Sequence, residues 1–420
     1  MTVSSKNIAI VFSSLILLVD ITFVAINQYL AKKEFDMQLN DAGIRLKLDY
    51  ELTLEQTYNL LSSLATYIGS DQQVLKTFYE ASKEHKAAIP NQEKLDELRA
   101  NLNEDVQNKW QKLQKDFLVR QLHFYFGPGS TSFLRVHKPE KYGDNMDDVR
   151  HTIAYANKEF KPVTGFETGR VYSGLRSVIP LFYETNEQKY HIGALEAGAS
   201  FDQVLTILSE HLKIESAVLL KEKHVKANMW PEAIEQHFVE SAINDCTCYL
   251  EASTTTQAKQ VLQSALNDGV NFSKEGSDII SVEGHFYSLT RFPLRDFKAD
   301  MDKRLPNVGS ILLWRNVDQA VQSFESNKLI IYGYGVFGFL IVEILFFLGL
   351  RLTSGHLKDI IKGQVSDIKS KNNELNQAQR LAKLGSWQYN IVNDELTWSD
   401  EIYRIFEVNK DEFKPCYRPC

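Results

Sequence analysis

Cysteine is scarce in this chain. There are four in 420 residues: Cys246 and Cys248, separated by one residue, and Cys416 and Cys420 at the very end. That close spacing suits neither a long-range disulfide nor a four-ligand zinc site, which argues against a disulfide-built secreted scaffold. Basic residues are in deficit too. Lys and Arg number 47 against 54 Asp and Glu, a net charge of −7 with no basic block, so a nucleic-acid partner is set aside. The ten histidines contain no His-x-His or His-x-x-x-His pair, so no metal is assigned. Catalytic signatures are missing as well: there is no Walker loop, no Gly-x-Ser-x-Gly elbow and no Gly-Gly-Asp-Glu-Phe run. His356 opens His-Leu-Lys-Asp, without the adjacent acid and following proline of a phosphoacceptor helix, and reads as a solvated linker residue. No catalytic residue and no cofactor is assigned within these residues.

With 44% hydrophobic and 24% charged residues, the composition is that of a folded protein, and the length fits two or three domains. Residues 329–350 carry one charge, Glu343, in 22 positions, with Tyr332 and Tyr334 near one end and Arg351 beyond the other. As a helix this run is about 33 Å long, enough to cross a membrane core. Residues 8–30 form a second apolar run, interrupted by Asp20, Asn27 and small polar residues. Its length and the lack of a small-x-small cleavage site favour an uncleaved anchor over a signal peptide. Lys and Arg near the span ends number six on each side, so charge does not set the orientation.

Between the spans, Phe35, Leu39, Ala42 and Leu46, then Leu54, Tyr58, Leu61, Ala65 and Ile68, keep helical spacing. Gly69-Ser70-Asp71 stops this helix and caps the next, and Pro90-Asn91 separates two further helices. After Phe117 come short strand-like runs at 119–126, 132–136, 170–180, 190–197 and 217–220, with one helix at about 147–157. The second half repeats the plan, with a helix near 257–266 and strands near 279–282, 285–292 and 308–314. An internal repeat is visible. Ile179-Pro180-Leu181 precedes Gly193 and Asp202-Gln203, and Phe292-Pro293-Leu294 precedes Gly309 and Asp318-Gln319. This reads as strand, Pro-Leu turn, glycine-led strand, then Asp-Gln into a helix, twice. The pattern is α+β.

Several motifs in order carry a resemblance: Arg-Gln-Leu-His-Phe (120–124), Ser-Phe-Leu-Arg-Val-His-Lys-Pro-Glu (132–140), Tyr-Gly-Asp (142–144), Gly-Phe-Glu-Thr-Gly-Arg (165–170) and Leu-Arg-Ser-Val-Ile-Pro-Leu (175–181). This run resembles the tandem PAS-like, or double Cache, sensory domain of two-component sensor kinases and related bacterial receptors. Phe-Pro-Leu-Arg-Asp-Phe (292–297) and Leu-Leu-Trp-Arg-Asn-Val (312–317) fit its second module. Residues 382–389 and 396–406 resemble the opening of a cytoplasmic PAS domain, in which Trp387 and Tyr389 share a strand face and Ser399 caps a helix burying Ile402 and Phe406. The chain ends before such a domain is complete, which reads as a truncation or frameshift after about Pro415.

The resemblance implies a sensor in a bacterial inner membrane, homodimeric, with residues 1–7 cytoplasmic and spans at 8–30 and 329–350. A double sensory domain at 31–328 (modules about 117–205 and 206–325) lies outside the cytoplasm, and a helical linker at 351–381 leads to a partial PAS fold at 382–420. A small-molecule ligand is expected, and arginines suit a carboxylate. Candidate binding residues are Arg135, His137, Tyr142, Glu167, Arg170, Arg176 and Glu196, each of which could equally serve a structural salt bridge. The output expected of the full-length relative is a histidine kinase. A cyclic-di-GMP enzyme, a chemoreceptor or an inert ligand-binding membrane protein are the alternatives. Ile361, Ile368, Leu375 and Ala382 keep a heptad spacing that suits a short coiled coil or an ordinary linker helix. Asp20 and Glu343 are the acids within the spans and candidate tuners of signalling position.

Overall fold

The computed structural model describes residues 5–186 and 188–416. Parts of two expected segments, residues 1–4 of the N-terminus and 417–420 of the incomplete C-terminal domain, lie outside the described residues. The chain divides into two compact units, residues 28–328 and the segments flanking them.

In the unit spanning 28–328, helices come first: the greater part of α1 (Ser5–Gly69), then α2 (Gln72–His85) and α3 (Gln92–Phe117). The expected stop and cap hold. Asp71 accepts from the backbone N–H groups of Gln73 and Val74, which would otherwise be unsatisfied at the start of α2. Asn91 does the same for Lys94 in α3.

The first module follows as β1 (Gln121–Phe126), β2 (Thr131–Arg135), α4 (His151–Glu159), β3 (Val163–Thr168), β4 (Ser173–Glu184), β5 (Lys189–Ala199) and α5 (Phe201–Leu212). The second has β6 (Glu215–Lys221), α6 (Glu222–Asn228), α7 (Pro231–Phe238), β7 (Ala242–Ile243), β8 (Cys248–Ser253), α8 (Ala258–Asn267), β9 (Gly276–Val282), β10 (His285–Leu294), α9 (Phe297–Met301) and β11 (Gly309–Asn316). The first sheet runs β2-β1-β5-β4-β3 and the second β7-β8-β6-β11-β10-β9. With β7 set aside the two orders are identical, so the repeat in sequence is a repeat of topology.

Register makes the equivalence exact. Leu181 of β4 sits opposite Gly193 of β5, and Leu294 of β10 opposite Gly309 of β11. The Pro-Leu pairs are not turns as expected; both lie inside strands. Pairing to the outer neighbour ends at Val178 in β4 and Arg291 in β10, so each proline stands where its strand has one neighbour and no ladder donor is missed. A Cβ on Gly193 would overlap the carbonyl oxygen of Tyr125, and one on Gly309 that of Leu219. The repeated glycine is therefore required by close strand approach.

α1 lies along one face of both sheets. Leu61, Ala65 and Ile68 meet Phe124, Phe126 and Phe133 of the first module in the same cluster where Leu46 and Tyr50 meet Phe292, Ile311 and Leu313 of the second. Each buried side chain of this size is worth about 1.5–3 kcal/mol, which is why a helix with this spacing is held here. On its other face the first sheet packs Tyr125, Val178 and Ala194 against Ile153 and Ala156 of α4. The second sheet packs Leu289, Leu312 and Trp314 against Val261 and Leu262 of α8.

One local expectation is corrected, and one local pairing is added. The helix expected from Asp147 begins at His151, because the Asp147 carboxylate is engaged by the Ser130 N–H and hydroxyl, each at 2.6 Å. Cys246 and Cys248 are joined to each other, closing a very short loop.

In the second unit, the first part of α1 and most of α10 (Asp318–Ala382) supply apolar stretches long enough to cross a membrane. The Glu343 carboxylate accepts from the Ser13 hydroxyl at 2.9 Å, and Phe12 packs on Phe346. Glu343 thus meets Ser13, seven residues or about 10 Å along the helix from Asp20. Asp20 lies instead beside Gly335, where a Cβ would run into Val24. Beyond α10, β12 (Trp387–Asn390) and β13 (Glu395–Trp398) form a two-stranded sheet followed by α11 (Asp400–Ile405). Ile402 is buried as expected. Phe406 is not: it is 65% exposed and stacks on Trp398, and the Ser399 hydroxyl accepts from the Ser386 N–H instead of a helix N–H.

Candidate functional site

A cavity of about 700 Å³ opens beside β1 and β2 of the first module. Each wall comes from a different stretch of chain. Gln121 belongs to β1 and Arg135 to β2; His137, Tyr142, Asp144 and Met146 follow β2; Arg150 immediately precedes α4; Arg170 and Tyr172 lie between β3 and β4; Trp230 precedes α7. The Trp230 N–H donates to the Arg170 carbonyl at 2.9 Å, tying the second module's wall to the first. Six cationic residues line the cavity (Arg120, Arg135, Lys138, Lys141, Arg150 and Arg170) against two acidic ones, Glu140 and Asp144.

Of the seven residues singled out from sequence, Arg135, His137, Tyr142 and Arg170 line this cavity. Arg135 is held bidentately by Asp144, both contacts at 2.8 Å, and donates to the Lys141 carbonyl, which shapes the loop that follows β2. Arg170 pairs with Asp148 at 2.8 Å. Tyr142 carries the Arg99 guanidinium over its ring at 3.3 Å. The His137 ring faces the Leu122 carbonyl, and burial brings its pKa down to about 4, so it is neutral at pH 7.

Glu167, Arg176 and Glu196 are not among the lining residues. They form a buried ion cluster behind the cavity. Arg176 donates to Glu196 and, at 2.6 Å, to Gln121, and its Nε is 3.6 Å from Glu167. Tyr125 donates to Glu196 at 2.7 Å, and Thr152 donates twice to Glu167. Burial pushes the Glu196 carboxyl up, but Arg176, Arg150 and the Tyr125 hydroxyl outweigh it and bring the value down to about 2. For Glu167 burial prevails, and its pKa is raised.

Among the lining residues that the sequence candidates did not include are Arg120, Gln121 and Arg150. Gln121 and Arg150 face both ways, lining the cavity while touching the cluster: Gln121 through Arg176, and Arg150 with its Nε 3.9 Å from Glu196. Arg150 is only 6% exposed, and its Nε makes no hydrogen bond among the described residues. Arg120 lies over the Tyr172 ring at 4.0 Å. In sequence, Gln121 belonged to the quoted motif Arg-Gln-Leu-His-Phe, but nothing marked Arg150, which reaches the site from the turn before α4.

This tandem of equivalent α+β modules led by one long helix defines a double sensory domain. Residues 50–303 match the family described as the double sensory domain of two-component sensor kinase, and the chain belongs to that family. No curated protein gives a significant match. Among solved structures, the sensor domain of the Vibrio cholerae histidine kinase DctB aligns at 11% identity over 68% of this chain and 99% of that one, with a TM-score of 0.36. The periplasmic domain of Vibrio cholerae LuxQ aligns at 7% identity over 66% and 100%, with a TM-score of 0.38. An extracellular ligand binding receptor from Desulfohalobium retbaense aligns at 10% identity over 63% of this chain but 39% of its own, with a TM-score of 0.28.

Proposed function

We propose that the chain is a membrane-anchored receptor that binds a small carboxylate in the cavity of its first module. In this reading residues 31–328 lie outside the cytoplasm of a bacterium, the spans are 8–30 and 329–350, and the linker 351–381 passes the signal to a cytoplasmic output. The receptor acts as a dimer, and a histidine kinase is the output that fits the family.

The observation that carries the ligand class is the cavity's charge. Six cationic side chains face two acidic ones, and among them Arg150 lines the cavity while only 6% exposed. A guanidinium buried in a wall of low dielectric offers a carboxylate a charge-assisted, directional contact. Arg150 and Gln121 also give such a ligand a route to the cluster. A carboxylate drawing Arg150 toward the cavity competes with Glu196, which is held by β5, and so reaches the strand that pairs with both β1 and β4.

The test uses the full chain in lipid nanodiscs with a panel of mono- and dicarboxylates and their amides. At least one carboxylate should raise the melting temperature of the 28–328 unit, its amide should not, and Arg150→Met should remove the effect. No response to any carboxylate, or an undiminished response in Arg150→Met, refutes the assignment.

A further inference from the structure

The second module carries its own cavity, of about 380 Å³, which shares no lining residue with the first. Its walls are Leu219, Leu220 and Lys221 of β6, the 269–273 loop, Gly309 and Ser310 of β11, and the Cys246–Cys248 pair. Three features of that pair stand apart from an ordinary structural disulfide.

The loop it closes is minimal, with Cα atoms 5.3 Å apart and only Thr247 between them. The chain entropy removed from the unfolded state grows with loop length, and a three-residue loop returns about half of what a fifteen-residue loop does. The bond is thus a poor staple. Thr247 is also held at φ 52, a left-handed conformation that a β-branched residue strongly disfavours. Its carbonyl accepts from the Glu222 N–H at 3.1 Å, so the strained residue is tied to the end of β6. Finally, the two residues differ in exposure. Both line the cavity, but Cys248 is buried at 7% exposure within β8, whereas Cys246 is half-buried beside exposed Asp245 and Thr247.

We propose that Cys246–Cys248 is a reversible redox site, reduced in the folded protein by a small thiol that enters this cavity. The incoming thiolate attacks Sγ of Cys246, the more exposed residue of the pair, and a mixed disulfide forms as the Cys246–Cys248 bond breaks. The electron pair leaves on Sγ of Cys248, which takes a proton from water. A second thiolate then cleaves the mixed disulfide, and the Cys246 thiolate takes up a proton. The protein gains two electrons and two protons, and the reductant departs as its own disulfide. Reduction frees Thr247 from its left-handed conformation and loosens β8, which pairs with β6.

The experiment uses the full chain in nanodiscs carrying Cys416→Ser and Cys420→Ser, with maleimide mass-tagging under native conditions. Millimolar reduced glutathione should expose two tags per chain, and oxidised glutathione should restore the untagged form. The Cys248→Ser variant should take one tag without reductant. Tagging that appears only after denaturant overturns the proposal. The Cys246→Ser, Cys248→Ser double variant should melt within a few degrees of the parent, whereas a loss above ten degrees would mark a staple and overturn it. Thr247→Gly, which removes the backbone penalty from the oxidised state, should lower the equilibrium constant for reduction three- to tenfold. An unchanged or higher constant overturns the part given to Thr247.

Discussion

Replacing Arg176 by Met would remove the cation that the buried cluster is built on. Arg176 is 1% exposed and bonded to Glu196, itself fully buried, with Glu167 close by. Without it Glu196 keeps only Arg150, 3.9 Å away, and the Tyr125 hydroxyl. Removing one partner of a buried ion pair costs about 3–5 kcal/mol, because the other charge stays desolvated. Arg176, Arg150 and the Tyr125 hydroxyl together hold Glu196 at about 2 instead of the ordinary 4.5, a shift of about 3 kcal/mol of which Arg176 carries a part. For a unit of this size the melting temperature should fall on the order of 10 °C at pH 7. The pH dependence carries a sign. The folded carboxyl titrates below the unfolded one, so its contribution is complete above pH 4.5 and is lost as the pH falls toward 2. In Arg176→Met that acid-side slope should flatten. Adding Glu196→Met should recover at least half of the loss, since an apolar replacement of both partners leaves Arg150 balanced by Glu167. Thermal unfolding of the full chain in detergent, followed by circular dichroism at pH 7, 4.5 and 3, measures all of this. A single variant melting within 2 °C of wild type, or two losses that simply add, would refute the reasoning.

His137 should act in the same direction over a higher pH range: its folded value near 4 lies below the unfolded 6.5, so stability falls as pH drops between them. His137→Leu should remove on the order of 2 kcal/mol of that loss, read from urea midpoints at pH 7 and 4.5. Gly193→Ala and Gly309→Ala should each cost roughly 2–4 kcal/mol, since the new methyl meets a strand carbonyl. Gly143→Ala, at φ 88 but in open space, should cost about 1 kcal/mol, and equal losses at all three positions would end the close-approach argument. Ser13→Cys with Glu343→Cys, on a background without other cysteines, should cross-link within one chain in native membranes. Asp20→Cys in place of Ser13→Cys should not.

Local signals were legible in the sequence wherever one residue acts alone. Asp71 and Asn91 announce their helices because a side-chain oxygen two or three residues before an unsatisfied N–H has few other uses. The Pro-Leu and glycine marks revealed the repeat because backbone crowding requires the same residues twice. Their misreading as turns shows the limit: a proline breaks a ladder only where a partner is present, and the partner strand's length is a tertiary fact. β3 was missed because Thr164 and Gly165 dilute its alternation, and β8 because Glu251 interrupts it. The cavity was half legible. Arg135 and Arg170 lie in recognisable motifs, but Arg150 matters only because its turn folds against Glu196, 46 positions further on.

The junction between β11 and α10 has a mechanical consequence. The Asp318 carboxylate accepts from the Phe286 N–H, Asn316 and His285, and the Val317 N–H donates to the Phe286 carbonyl. A single residue, Val317, separates β11 from the first turn of α10. There is no slack at this coupling. A displacement of β11 by an ångström has no loop in which to dissipate, so strand and first helical turn transmit as one part. Two glycines inserted after Val317 would add up to about 7 Å of play and turn a stiff linkage into a hinge.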